Sequence, residues 1–178
     1  MKNIFVIVAL LAIAITGSAQ EKYWNIGIGG GAAFPVGDAA DYTKMGVGAC
    51  LTGMFCFSKK FRGGVEFGYA SLRAKTWGTL DLDNTSIRAL LLKGDFTFTE
   101  QRLRPYVALF LGFYSTRVCK SLRVNGGEET STCIINNNYG YGVEAGVRRG
   151  CLSVGVAYNV VAVDFKYVLV SLGYTFVL

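Results

Sequence analysis

Residues 139–148 of the chain read YGYGVEAGVR, and in this stretch tyrosine, valine and alanine alternate with glycine, glutamate and arginine. Successive side chains of a β-strand point to opposite faces of its sheet. A period of two therefore places Tyr139 and Tyr141 on one face and Glu144 and Arg148 on the other. The stretch predicts a strand with one apolar face and one face of small or charged residues.

The same alternation recurs in seven other stretches. They cover residues 24–34, 46–57, 64–70, 87–98, 105–115, 152–158 and 168–178. Apolar residues facing outward, with small or polar residues facing inward, are typical of strands that cross a membrane. Residues 105–115 are apolar on both faces. Their outward face is assigned by placing the small residues Ala108 and Gly112 inward. Ile87 and Arg88 do not fit the pattern of their strand, so we expect a bulge or a strand end near Ala89. The chain is predicted to be all-β, a closed antiparallel eight-stranded up-and-down transmembrane β-barrel.

The composition agrees with strands that cross a membrane. Hydrophobic residues make up 52 % of the chain and charged residues only 17 %, yet no stretch after residue 19 is continuously apolar over the length of a helical span. Strands dilute apolar residues to every second position, whereas membrane helices do not. The chain has 23 glycines and 2 prolines, which argues against a disordered or collagen-like protein.

The first nineteen residues are predicted to be a secretory signal peptide. Lys2 precedes an apolar run over residues 4–15, and Gly17, Ser18 and Ala19 follow it. The alternative, a membrane-anchoring helix, needs roughly 18 apolar residues and the run is shorter. We therefore expect a signal peptide over residues 1–19 and a single outer-membrane β-barrel domain over residues 20–178.

Long and short connections alternate along the chain. The long ones are residues 35–45, 73–85 and 116–138, the short ones lie around residues 59–60, 101–102 and 149–150, and the last outer connection, residues 160–165, is short. In bacterial outer-membrane barrels the short turns face the periplasm and the long loops face outward. This pattern predicts that both termini are periplasmic.

The end of the chain resembles the assembly signal of outer-membrane barrels. Ser171, Gly173, Phe176 and Leu178 match its pattern of polar, glycine and two hydrophobic positions. The chain as a whole resembles the outer-membrane protein β-barrel domain family, in particular the small OmpA/OmpX-like eight-stranded barrels. The resemblance implies insertion into the cell outer membrane by the barrel-assembly machinery. It implies no activity, because the shared residues are architectural.

Five charged residues fall on the predicted inner face: Glu66, Lys93, Asp95, Glu144 and Arg148. An eight-stranded barrel is only just wide enough inside for side chains, so we expect these charges to form an ion-pair network in a plugged lumen. Lys93 is expected to pair with Glu66 or Asp95. For Arg148, beside a predicted short turn, the alternative is a position at the rim in bulk water.

The five cysteines allow one predicted disulfide. Cys119 and Cys133 flank the longest outer connection, and export makes their oxidation possible. Free thiols are the alternative. Cys50 and Cys56 lie on one face of the same strand, roughly 20 Å apart, and cannot pair with each other.

The absence of histidine excludes hydrolases that use a histidine base. No cofactor is implied, and an enzyme that uses only carboxylates stays open. We expect a non-enzymatic envelope-integrity or surface-contact protein; the alternatives are a narrow channel for small or apolar solutes and a soluble lipocalin-like barrel. The lipocalin alternative predicts apolar residues inside, opposite to the observed phase.

The net charge of +6 is interpreted as favouring contact with an anionic membrane surface and not with nucleic acid. In or beside the predicted outer loops lie six basic residues: Lys44, Arg73, Lys75, Arg117, Lys120 and Arg123. They are expected either to contact phosphates of lipopolysaccharide or to be solvated loop charges. Outer-membrane lipids are therefore predicted partners, and the sequence names no extracellular ligand.

Overall fold

The computed structural model describes residues 23–75, 81–82, 85–123, 129–162 and 165–177. The predicted signal peptide and Leu178 lie outside these residues. Among the described residues no helix is long and apolar enough to cross a membrane.

The described residues form eight long strands, one two-residue strand and one helical turn. In chain order they are β1 Trp24–Val36, α1 Ala39–Tyr42, β2 Thr43–Cys56, β3 Phe61–Ala74, β4 Asp81–Leu82, β5 Thr85–Thr97, β6 Arg104–Arg123, β7 Glu129–Arg149, β8 Leu152–Ala162 and β9 Phe165–Val177. Within the closed ring, each long strand alternates between residues that face the interior and residues that face outward, as the period of two predicts.

The eight long strands close into a ring in which every neighbouring pair is antiparallel. β1 pairs with β9 from Asn25 opposite Val177 to Val36 opposite Lys166. Closure pairs the edge strands that an open sheet would leave exposed. The predicted closed, up-and-down, eight-stranded barrel is confirmed.

Two predicted loops are wrong in extent. Residues 116–138 were expected to be loop, but β6 and β7 continue as a paired hairpin to Arg123 and from Glu129. Val118 of β6 lies directly opposite Ile134 of β7, and such pairs of β-branched residues favour the extended conformation. Residues 35–45 also contain less loop than predicted. β1 extends to Val36, and α1 leads directly into β2 at Thr43.

The bulge expected near Ala89 is absent. β5 keeps one register through Ile87 opposite Thr116 and Arg88 opposite Ser115. Ile87 is 1 % exposed inside the barrel and Arg88 is exposed outside. Both residues follow the alternation of the strand, but here the apolar side chain faces inward and the charged one outward. The interior is apolar at this height and accommodates Ile87. The register irregularities lie in β2, between Lys44 and Val47, and in β8, between Val160 and Ala162.

Glycines on the inner face make room for large rings from neighbouring strands. Gly142 of β7 lies directly opposite Phe110 of β6, and a Cβ added at Gly142 would collide with the Phe110 ring. Phe110 is 3 % exposed, so its ring fills the interior where the glycine carries no side chain.

Gly142→Val is therefore expected to lower the free energy of unfolding by about 1–3 kcal/mol through overpacking. Urea unfolding of the detergent-refolded barrel measures the change. Ala145→Val on the same strand is the matched control, because Ala145 faces outward and is exposed. Equal unfolding midpoints for the two variants would contradict this packing.

Candidate functional site in the barrel interior

All five charged residues predicted to line the lumen face inward in the structure. β3 positions Glu66, β5 positions Lys93 and Asp95, and β7 positions Glu144 and Arg148. Glu66 and Glu144 are each 8 % exposed and Asp95 is 1 % exposed. The strand period turns these charges inward, and their positions near the short-turn ends of β3, β5 and β7 place them in that half of the barrel.

Lys93 lies between two carboxylates. Its Nζ is 2.6 Å from Oε2 of Glu66 and 2.5 Å from Oε2 of Glu144. The hydroxyl of Tyr106 donates to the other oxygen of Glu144, Oε1. The lysine therefore pairs with Glu66, as expected, and with Glu144, but not with Asp95. One cation joins carboxylates from β3 and β7, with β5 and β6 between them in the ring.

Asp95 is held by two arginines. Arg62 Nε and Nη2 donate to its two oxygens at 3.1 and 2.9 Å, and Arg148 Nη2 donates at 2.9 Å. The Arg148 guanidinium also lies 3.5 Å from the centre of the Tyr106 ring. Bidentate arginine–carboxylate pairs are strong and directional. Because its side chain is 13 % exposed and paired, Arg148 is not at the rim in bulk water.

The sequence reading missed Arg62 and Tyr106. Arg62 shares the inward parity of Gly64 and Glu66 and lies directly opposite Asp95, but the strand was expected to begin two residues later. Tyr106 shares the parity of Ala108. Extending the inward phase of each strand to its turn would have found both residues.

The charged layer forms one continuous network. Tyr106 connects the lysine group to the arginine group through its hydroxyl and its ring. Three carboxylates face three cations, so the layer is neutral overall. A buried charge is tolerated when it is paired and hydrogen-bonded. Among the described residues no cluster of cysteine, aspartate or glutamate could hold a metal ion.

An apolar layer fills the interior on the other side of these charges, towards the long connections. Its large members are Leu72, Ile87, Leu91, Phe110, Tyr114, Val161 and Tyr167. A cavity of about 80 Å³ remains in the lumen. A water molecule takes up about 30 Å³ in the liquid, so this space holds only a few. Within the described part of the chain, side chains occupy the lumen at both heights.

Cys119 and Cys133 are joined in a disulfide on the hairpin of β6 and β7. They are directly opposite in the register, with Cα atoms 4.1 Å apart. Cys50, Cys56 and Cys151 are free thiols. The bond holds the two arms of the hairpin together where they extend past the rest of the barrel.

Lys93→Leu is expected to lower the free energy of unfolding by about 3–5 kcal/mol, because two buried carboxylates then lose their shared cation. Denaturant unfolding of the refolded barrel measures it, with Lys60→Leu in an exposed turn as the control. Adding Glu66→Gln to Lys93→Leu should recover part of the loss. An unfolding midpoint unchanged by Lys93→Leu would refute a stabilising role for this lysine.

No protein-family model and no curated protein matches the sequence. Solved structures do match the fold. Neisserial surface protein A matches with a TM-score of 0.58 and 15% identity, over 88% of this chain and 98% of that chain. Ail of Yersinia pestis, solved with the heparin analogue sucrose octasulfate, matches with a TM-score of 0.59 and 17% identity, over 88% and 100% of the chains.

The outer membrane protein OprG of Pseudomonas aeruginosa is also similar, with a TM-score of 0.52 and 14% identity over 87% of this chain and 97% of that chain. Each match extends over nearly the whole neighbour, so the likeness concerns the complete barrel. At these identities the likeness is one of fold. The chain has the fold of the small eight-stranded outer-membrane β-barrels.

Proposed function

We propose that this chain is an integral, non-enzymatic barrel of a bacterial outer membrane, with a closed lumen and a surface-contact role carried by its long outer strands. The observation that carries the proposal is the distribution of side chains. Charged residues lie paired inside, while large apolar residues lie exposed outside. A soluble barrel, including one of lipocalin type, has the opposite arrangement.

The outer wall carries a band of exposed aliphatic residues. It includes Ile26, Ile28, Leu51, Val65, Leu90, Leu92, Leu109, Leu111, Val154, Val156 and Leu172, of which Leu92 is 63% and Leu109 66% exposed. An exposed apolar surface of this size needs an apolar solvent. Lipid chains meet that need, and the closed ring leaves no strand edge unpaired within it.

Aromatic residues border the band on both sides. On the short-turn side, Trp24 packs on Phe55 with ring centres 5.1 Å apart. On the long-loop side, Phe113 packs on Tyr139 at 4.3 Å. Aromatic girdles at both interfaces are typical of outer-membrane barrels. They support a transmembrane orientation with the short turns, and hence both termini, on the periplasmic side.

The hairpin of β6 and β7 is the most prominent feature of the opposite end. β8 pairs with β7 only as far as Tyr141, so residues 129–139 have an edge that no described strand covers. Ile134, Ile135 and Tyr139 are exposed there. An exposed strand edge can bind an extended segment of another protein through backbone hydrogen bonds. We assign the surface contact to this edge. Because residues 130–139 carry no charge, we propose that the partner contributes an uncharged extended segment.

Anionic lipopolysaccharide is the second proposed partner. Lys44 and Arg73 are exposed and directly opposite each other at the same end, and Arg117 is exposed on β6. Lys75 instead donates to the backbone oxygen of Ala40 at 2.5 Å. Ail, a structural neighbour named as an attachment invasion locus protein, was solved with a sulfated heparin analogue. That precedent supports anion contacts at the outer end.

Delivery to the membrane rests on the two chain ends. Residues 1–19 are proposed to be cleaved during export. Ser171, Gly173 and Phe176 lie in β9, the strand that closes the ring, while Leu178 lies outside the described residues. We propose that this segment is recognised by the barrel-assembly machinery as well as closing the barrel.

The apolar outer wall predicts that the purified protein partitions into detergent or liposomes. The closed lumen predicts that it conducts ions poorly. Planar-bilayer recording should show no stable, large ion conductance, because side chains fill the lumen at both heights. Stable conductance from the wild-type protein would contradict the closed lumen and favour the alternative, a narrow channel for small or apolar solutes. Failure to float with liposomes would contradict the membrane assignment itself.

Ile134→Lys is expected to reduce adhesion of bacteria displaying the protein several-fold, because a charge blocks strand addition at an edge and Ile134 lies opposite the uncharged Val118. Tyr42→Lys is the matched control, since Tyr42 is exposed at the same end but away from the hairpin. Both variants should reach the membrane in equal amounts. Equal adhesion by the wild-type strain and a strain lacking the protein would refute the surface-contact role.

A further inference from the structure

The short-turn mouth of the barrel contains a second cavity, which adjoins the space in the lumen and shares Arg62, Arg148 and Thr175 with it. It measures about 80 Å³ and its lining includes Tyr23, Arg62, Arg104, Arg148 and Thr175. Three of these five side chains are guanidiniums and two carry hydroxyl groups. These five side chains can donate hydrogen bonds, as a site for an anion requires; the rest of the lining includes Asn25, Cys151, Leu152 and Val177.

The positive charge at this mouth exceeds the negative charge that faces it. Asp95 is the carboxylate partner of both Arg62 and Arg148. Among the ion pairs of the described residues, Arg104 has none, and its polar contact is with the backbone oxygen of Gln101 at 3.4 Å. Glu100, in the same turn, lies 3.9 Å from Lys59. Three guanidiniums therefore line this mouth, and its buried carboxylate, Asp95, pairs with only two of them.

The register places two of these guanidiniums directly opposite each other, with Arg148 of β7 half-buried and Arg104 of β6 exposed. Like charges at directly opposed positions of an antiparallel pair destabilise it. An anion held between them would replace repulsion by two attractive contacts.

We propose that the short-turn mouth binds a tetrahedral oxyanion of the phosphate type, with Arg104 as its main charged contact. The planar fork of arginine matches the oxygens of phosphate in a bidentate manner. The cavity has the volume of two to three water molecules at about 30 Å³ each, which suits a small oxyanion. The phosphate group belongs either to a soluble anion or to a phospholipid head group at the rim.

The test uses the full barrel in detergent and inorganic phosphate as the probe, at constant ionic strength set with chloride. Titration calorimetry should show saturable binding to the wild-type protein. Arg104→Gln should weaken binding about ten- to hundredfold, as expected for one charge-assisted contact. Arg102→Gln is the matched control: Arg102 is exposed in the same turn but does not line the cavity, so its affinity should be unchanged.

Arg104→Gln leaves both arginine partners of Asp95 in place, so the barrel should unfold at the same or a higher temperature in chloride. Absence of saturable phosphate binding by the wild-type barrel, or equal binding by Arg104→Gln, would overturn the proposal. Nanodiscs separate the two sources. Weaker binding of inorganic phosphate in phosphatidylglycerol or phosphatidylcholine nanodiscs than in detergent identifies a lipid phosphate as the competitor, and equal affinity in nanodiscs and detergent identifies a soluble anion. The readout involves neither adhesion nor conductance, so its failure leaves the proposed function untouched.

Discussion

Three carboxylates enclosed in a narrow barrel require three cations at hydrogen-bond distance, and the organisation of the interior depends on that match. Lys93 satisfies Glu66 and Glu144, while two guanidiniums enclose Asp95. Glycines on the inner face, such as Gly142, leave the space in which large side chains reach across the lumen. The apolar layer beside the network keeps bulk water from replacing these contacts.

Much of this arrangement follows from the exact period of a strand. The parity that places Tyr141 outside places Glu144 inside, and all five charges assigned to the lumen by parity face it. Which charges touch depends on the stagger of strands that are not neighbours, and a single strand does not encode that stagger. For this reason the contact of Lys93 with Glu144 and that of Asp95 with Arg148 emerge only from the closed barrel.

The remaining errors have two physical causes. Residues 116–138 are rich in serine, threonine and asparagine, which suggested a loop, but each arm of the hairpin gives the other its backbone partners. Ile87 appeared out of phase because the interior of a membrane barrel was expected to be polar throughout. Local composition is a weak guide where pairing or burial within the whole fold decides the conformation.

The pairing of β1 with β9 has a consequence for how the protein is made. The strands that close the ring come from opposite ends of the barrel sequence, so this contact has almost the largest separation that the chain allows. Folding that depends on such contacts is slow, and intermediate hairpins expose apolar surface and unpaired edges in the meantime. No partial set of strands is a closed structure. β1 therefore lacks one of its two partners until β9, the last strand, has been made.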